Sequence, residues 1–341
     1  MKYIVITSIQ APTPSVRRIA ELAQRFQLGV LIVGDRKSPN VAWPDNVEFM
    51  SLEEQHALGG SLPAQIPENH YARKNVGYLA LMRSGAEALF DTDDDNAPLD
   101  HWQVREPACT ALRAEHAGWL NVYRLFSSHL IWPRGLPLER IRDPLPAIST
   151  ATSPVQSPIQ QGLVNGSPDV DAVWRLVLDA GLEFDVRPSV VLAPGTWCPF
   201  NSQSTWWFPQ AYPLLYLPSF VSFRMTDIWR SFIAQRCLWE LGLGIVFHAP
   251  DMVQERNPHN LLSDFRQEVP GYLENERMRG LLEVLALSSS ADAIGGNLHR
   301  CYEALVSAGI IPKEEMALVE GWLADLPGTT ARAPAAVARP A

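Results

Sequence analysis

The apolar positions of the chain open with a strand, a helix and a strand. Residues 3–7 are apolar and β-branched, the pattern of a short buried strand. Residues 15–26 place Val16, Ile19, Ala20, Ala23 and Phe26 at helical spacing, and residues 28–33 form a second apolar run ending in Gly34-Asp35-Arg36-Lys37. That rhythm implies parallel pairing and a doubly wound α/β sheet. Residues 53–62, polar and glycine-containing, read as a loop or short helix. The segment NVGYLALMRS then reads as a helix stopped by Gly85, and residues 86–90 as a third buried strand.

Further on the pattern is less regular. Residues 143–158 carry prolines with Ser and Thr and read as a loop or mobile lid. Ser167-Pro168-Asp169 reads as a helix start, with Val170, Val173, Trp174 and Val177 as its buried stripe. Residues 184–223 look β-rich, and their clustered Trp197, Trp206 and Trp207 read as core packing or as a sugar-stacking platform. Thr226-Asp227 reads as the cap of a strong helix over 228–241, and residues 245–247 as one more strand. Residues 272–287 and 297–326 read as two or three terminal helices. The division expected is a catalytic domain over 1–270, in halves of about 1–100 and 101–270, a helical extension over 271–327 and a disordered tail over 328–341.

Composition narrows the function classes. The 341 residues, 47% hydrophobic and 19% charged, describe an ordinary globular protein. A net charge of −9 argues against a nucleic-acid binder, which needs a basic face for phosphates. The four cysteines form no CxxC pair, so zinc and a disulfide framework are not expected. No apolar run has the length of a membrane span, and the expected location is cytoplasmic.

One stretch concentrates chemistry. Asp91, Asp93, Asp94 and Asp95 follow the third strand, where open α/β sheets bind ligands. Packed carboxylates repel unless a cation shares them, and hard oxygen donors suit Mg²⁺ or Mn²⁺. An EF-hand fails, because Asn96 replaces the required glycine and Trp102 the bidentate glutamate. A solvated acidic loop is the bland alternative. Arg73 and Lys74 lie one helix before the acids, as solvated surface charges or as diphosphate ligands. Asp35 is a base or ribose contact or a turn residue, and Arg134 in WPRGLP an anion clamp or a packing arginine. Asp227 is a helix cap or a general base, while His248 and His259 are structural or complete a metal site.

The blocks VGDRKSP, RKNVGYLALMRSGA, DTDDDN, WPRGLPLE, IQQGLVNGSPDVDAVW, PFNSQST and DIWRSFIAQRCLWELG resemble, in order, those of the STELLO glycosyltransferases. APGTWCPFN, RMTDIW and GLGIVFHAP carry a more distant resemblance to the reversibly glycosylated polypeptides, which include UDP-arabinopyranose mutases. The resemblance implies a GT-A-type fold, a mixed, mostly parallel sheet flanked by helices, and a metal, Mn²⁺ or Mg²⁺, on Asp93 and Asp95. It aligns Gln254 with the family's histidine, and His259 is a candidate ligand only by its place after the last strand. It implies nucleotide-sugar contacts from Arg73 and Lys74 and an acceptor side at Asp227; Thr7, Asp35, Asp94, Arg134 and Asn201 are the further nucleotide-sugar contacts expected around them. Arg224 matches the arginine that the mutase-like proteins glycosylate on themselves. The activity implied is transfer from a nucleotide-diphosphate sugar, a UDP-sugar first, to a glycan or glycoconjugate. A self-glycosylating mutase and a non-catalytic nucleotide-sugar-binding scaffold are the alternatives.

Overall fold

A computed structural model describes residues 1–178, 180–255 and 260–328. Strand β1 (Lys2–Thr7) pairs in parallel with β2 (Gly29–Val33), which pairs in parallel with β3 (Glu48–Met50). Helix α1 (Pro14–Phe26) joins the first two: the Thr13 hydroxyl accepts from Val16 N, Pro14 needs no N–H partner in the first turn, and Val16, Ile19, Ala20 and Ala23 are buried. The segment expected as a loop or short helix holds α2 (Leu52–Ala57), closed by a Ser51–Glu54 capping box, and α3 (Leu62–Gln65).

Helix α4 (Lys74–Arg83) is buried on nearly every side, because the sheet covers one face and the 3₁₀ segment Pro209–Leu215 another. Gly77 permits the close approach, since a Cβ there would lie 2.3 Å from Val33 Cγ2. The chain leaves α4 through Gly85 at φ 80° and enters β4 (Ala88–Asp91), parallel to β1. Side chains alternate across these strands. Val5, Leu31, Val33 and Leu89 face the core that contains α4, while Ile4, Ile6, Ile32 and Phe90 face the core under α1.

The remaining strands are β5 (Asn96–Pro98), β6 (Ala108–Ala114), β7 (Gly118–Trp119), β8 (Ser153–Gln156), β9 (Ile159–Gly166), β10 (Val190–Leu192), β11 (Thr196–Trp197), β12 (Thr205–Trp207) and β13 (Val246–Gln254). The main sheet runs β3-β2-β1-β4-β12-β9-β13-β10-β6-β8, with β5 on β13, and β7 pairs with β11 apart from it. Strand β12 is antiparallel to both β4 and β9, and β13 is parallel to β9. The carboxyl ends of β1, β2, β4, β9 and β13 therefore meet the amino end of β12 along one edge. This is the mixed α/β sheet flanked by helices expected of a GT-A-like fold.

Helix α5 (Ala172–Val177) follows β9, helix α6 (Thr226–Trp239) precedes β13, and α7 (Leu261–Glu283), α8 (Ile294–Ser307) and α9 (Glu315–Asp325) close the chain. The boundary expected at 270 falls inside α7, and a single apolar core joins Leu62 and Leu79 to Leu298 and Trp322. Glu315, at the start of α9 and fully buried, accepts from Tyr216 Oη and from the backbone N–H groups of Ser219 and Phe220. No helix among the described residues is long and apolar enough to cross a membrane.

Several expectations need correction. Residues 153–156 are not a lid but an edge strand on β6; a proline is tolerated there because an edge strand need not donate on both sides. The stretch YPLLYLPSFVSF is 3₁₀ and loop rather than strand. Helix α5 begins at Ala172, with Asp171 as its cap, and ends at Val177, which is 73% exposed instead of buried. Thr226 and Asp227 lie within the first turn of α6, whose cap position is Met225. Trp197, Trp206 and Trp207 are fully buried, so they pack the core. Residues 329–341 of the expected tail lie outside the described residues.

Candidate functional site

The strand ends line a cavity of about 350 Å³. Thr7, Asp35, Arg73, Asp93, Asp94, Asp95, Arg134, Arg224 and Asp227 all border it. Lys74 and Asn201 do not, and His259 lies outside the described residues.

The acidic run divides by role. Asp91, still in β4 and fully buried, is held by Lys74 Nζ at 2.6 Å and Arg230 Nη2 at 3.0 Å. Lys74 is equally buried and also reaches Thr92 O at 2.6 Å and Asp93 Oδ1 at 3.2 Å. It therefore acts behind the cavity wall. Asp93, Asp94 and Asp95 occupy the turn between β4 and β5. Asp94 Oδ2 accepts from the Ser8 hydroxyl at 2.5 Å, and its carbonyl accepts from Thr13, which pins the turn to the β1–α1 connection. Burial lifts its carboxyl above the usual range.

Asp93 keeps 30% of its side chain exposed to the cavity and accepts from Tyr71 Oη at 2.8 Å. Burial of the carboxyl, with Asp95 and Asp91 adding and Lys74 opposing, pushes it up to about 7. Asp95 Oδ2 accepts from Gln254 Nε2 at 2.8 Å, at the end of β13. Among the described residues no three His, Cys, Asp or Glu side chains converge as a preformed metal site. A pair of carboxylates in a polar cavity still fits Mg²⁺ or Mn²⁺, which keep positions for waters and substrate phosphates.

Opposite the acids stands a second charged cluster. Arg134 donates from Nε to Asp169 Oδ1 at 2.7 Å and from Nη2 to Asp169 Oδ2 at 2.8 Å. The same Nη2 lies 3.0 Å from each Asp227 oxygen, and Nη1 donates to the Arg224 carbonyl. Its donors are thus spent on protein, which leaves no free fork for a clamp on an anion. Burial alone would lift Asp169, but the paired guanidinium holds it below the usual range. Asp227 also accepts from Ser202 N at 3.3 Å. Arg224 is tied to buried Glu268 through Nε at 3.0 Å and Nη2 at 2.8 Å.

Toward β2, the Asp35 carboxylate accepts from the backbone N–H groups of Arg36, Asn69 and His70, so it ties the strand end to the segment before α4. Arg73 donates from Nε to Gln55 and from Nη1 to Ile66 O, while its buried Nη2 has no hydrogen-bond acceptor. Asn201 bonds Gln161 and the Gln203 N–H, one layer behind the wall.

His248 lies away from the cavity, buried between the Ser189 hydroxyl and Gln160 Oε1. Burial, with Arg105 nearby, depresses its pKa well below 6.5. Below pH 6.5 the unfolded chain takes up a proton that the folded ring refuses, so stability falls as pH drops through that range. The contribution of His248 to that slope is about 1.4 kcal/mol per pH unit, opposed in the same window by carboxyls whose pKa burial raises, Asp93 among them. His248→Gln should remove that contribution, so that urea melts from pH 7 to 5 show less loss of stability on acidification than the wild type, and an unchanged slope would refute the assignment.

Sequence reasoning missed three wall residues. Asp169 was read as a helix start, yet it closes the Arg134 fork from the loop after β9. Tyr71 supplies the hydroxyl on Asp93, and Phe223 borders the cavity beside Arg224. Only the SPDVDA block signalled the first, and nothing local signalled the others.

The sequence profile of the STELLO glycosyltransferases matches residues 224–339. Two curated proteins of Arabidopsis thaliana, probable glycosyltransferases STELLO1 and STELLO2, are each 32% identical over 73% of this chain. The chain spans about a third, 35%, of the length of each. With the fold and the blocks that line the cavity, these matches establish that the chain belongs to the STELLO glycosyltransferase family.

Proposed function

We propose that the protein is a metal-dependent glycosyltransferase that moves a sugar from a nucleotide-diphosphate sugar, a UDP-sugar first, to a glycan or glycoconjugate. The observation that carries this reading is one cavity with Asp93 and Asp95 on one wall and the Asp169–Arg134–Asp227 cluster on the other. Asp93 and Asp95 would hold Mn²⁺ or Mg²⁺, which when bound neutralises charge on the departing diphosphate.

The chain's own groups supply the rest. Arg73, buried behind the β2 end, donates to Gln55 and to the Ile66 carbonyl and so braces that wall from within. Asp35 holds that wall in place through its three backbone hydrogen bonds. Lys74 and Tyr71 orient Asp93 from behind, and Asn201 positions Gln203. Arg134 fixes the direction of the Asp227 carboxylate. In an inverting transfer Asp227 is the group placed to accept the proton of the acceptor hydroxyl.

Arg224, paired through two nitrogens to Glu268, is engaged as a cation. That state supports a hydrogen-bonding role and a separate acceptor over self-glycosylation. Thermal shift and nucleoside diphosphate release with a panel of nucleotide sugars and Mn²⁺ or Mg²⁺ test the proposal. A UDP-sugar should raise the melting temperature and be turned over only with metal. Neither stabilisation nor release across the panel would overturn it.

A further inference from the structure

The acceptor end of the cavity has a ring-binding surface, an inference that rests on the transferase reading above. Trp197, Trp206 and Trp207 are fully buried and offer no face to a sugar, but Phe223 borders the cavity and is 54% exposed. It opens the 3₁₀ turn Phe223–Met225, directly before α6, so Arg224 and Asp227 follow it on the same wall.

Its ring is fixed. Tyr71 meets it edge to face, with centroids 5.8 Å apart and planes at 70°, and the Tyr71 hydroxyl bonds Asp93. A single side chain thus joins this platform to the acids expected to hold the donor diphosphate. Apolar ring surface left in water forgoes hydrophobic stabilisation, and the C–H face of a sugar would recover it while its hydroxyls reach Asp227 and Arg224.

The charges around the platform specify the ligand further. Arg134, Arg175 and Arg224 are matched by Asp169, Asp227 and Glu268, and Asp171 lies within reach of Arg224 and Glu268. With carboxylates at least balancing guanidiniums, this end offers no net attraction to a uronate or phosphate. We propose that Phe223 is the stacking platform for the acceptor's sugar ring, and that the acceptor is a neutral glycan.

Saturation-transfer NMR on the full chain with UDP and Mg²⁺ tests this, using neutral gluco-, manno- and galacto-configured trisaccharides and trigalacturonate as probes. The wild type should bind at least one neutral probe, and trigalacturonate more weakly than any bound neutral one. Phe223→Ala should weaken binding about tenfold and Phe223→Tyr should restore it. UDP–Mg²⁺ should raise the melting temperature equally in all three proteins. Undiminished binding by Phe223→Ala, preference for trigalacturonate, or no neutral binding while UDP–Mg²⁺ still stabilises would overturn the proposal. Absence of stabilisation by UDP–Mg²⁺ and by every other nucleotide of the donor panel in the wild type would instead bring down the transferase reading, and this inference with it.

Discussion

Asp93→Ala is expected to cut metal-dependent nucleoside diphosphate release by about a thousandfold, the scale of losing several kcal/mol of charge neutralisation. Stability should be unchanged or slightly raised. Burial lifts the Asp93 carboxyl to about 7, so keeping it ionised costs the metal-free fold stability, and little is lost when the carboxyl is removed. Lys74 loses one partner but retains Asp91 at 2.6 Å and the Thr92 carbonyl at 2.6 Å. Product release and a urea melt on the same preparation check both halves. Retained turnover would remove Asp93 from the metal site, and a collapse in stability would make it a structural residue.

Asp91→Ala should behave in the opposite way. It leaves Lys74 and Arg230 buried together without the carboxylate between them, on the strand that carries the acid turn. Removing one partner of a buried ion pair costs about 3–5 kcal/mol, because an uncompensated charge remains. Urea unfolding should show that loss in the absence of any ligand. A change below about 1 kcal/mol would mean that Asp93 or water compensates Lys74 in full. The pair of variants thus separates two functions within neighbouring residues of the same composition.

How far the sequence discloses this protein follows from where each feature's cause lies. Strands β1 and β2 and helices α1 and α4 are local, set by spacing, a cap and a glycine, and their ends agree with the pattern to within a residue or two. The edge strand β8 was concealed because proline and serine dominate it, while its pairing depends on β6, remote in sequence. The 3₁₀ segment Pro209–Leu215 is covered on several sides, so its apolar run lacks the period that would distinguish it from a strand.

The same reasoning applies to the cavity. Spacing and family blocks put Asp93, Asp95 and Asp227 forward, and the fold gathers them at one edge. Spacing alone could not show that Arg134 spends its guanidinium on Asp169 and Asp227, since those partners arrive from the ends of β9 and α6. Nor could it show that Lys74 turns inward to Asp91, which depends on the depth of α4 between two packed layers. Phe223 is visible only once α6 is seen to start at the cavity wall.

Glu315 gives the terminal helices a part in this. Its carboxylate anchors the Tyr216, Ser219 and Phe220 stretch that leads straight to Phe223 and Arg224. A version trimmed at residue 270 would cut α7 midway and delete the buttress of the wall that carries Phe223 and Arg224, even though every residue bordering the cavity would still be present. The terminal helices are therefore a poor place to seek a minimal catalytic fragment. They are a promising one for substitutions that shift the Phe223 wall without touching the acid turn.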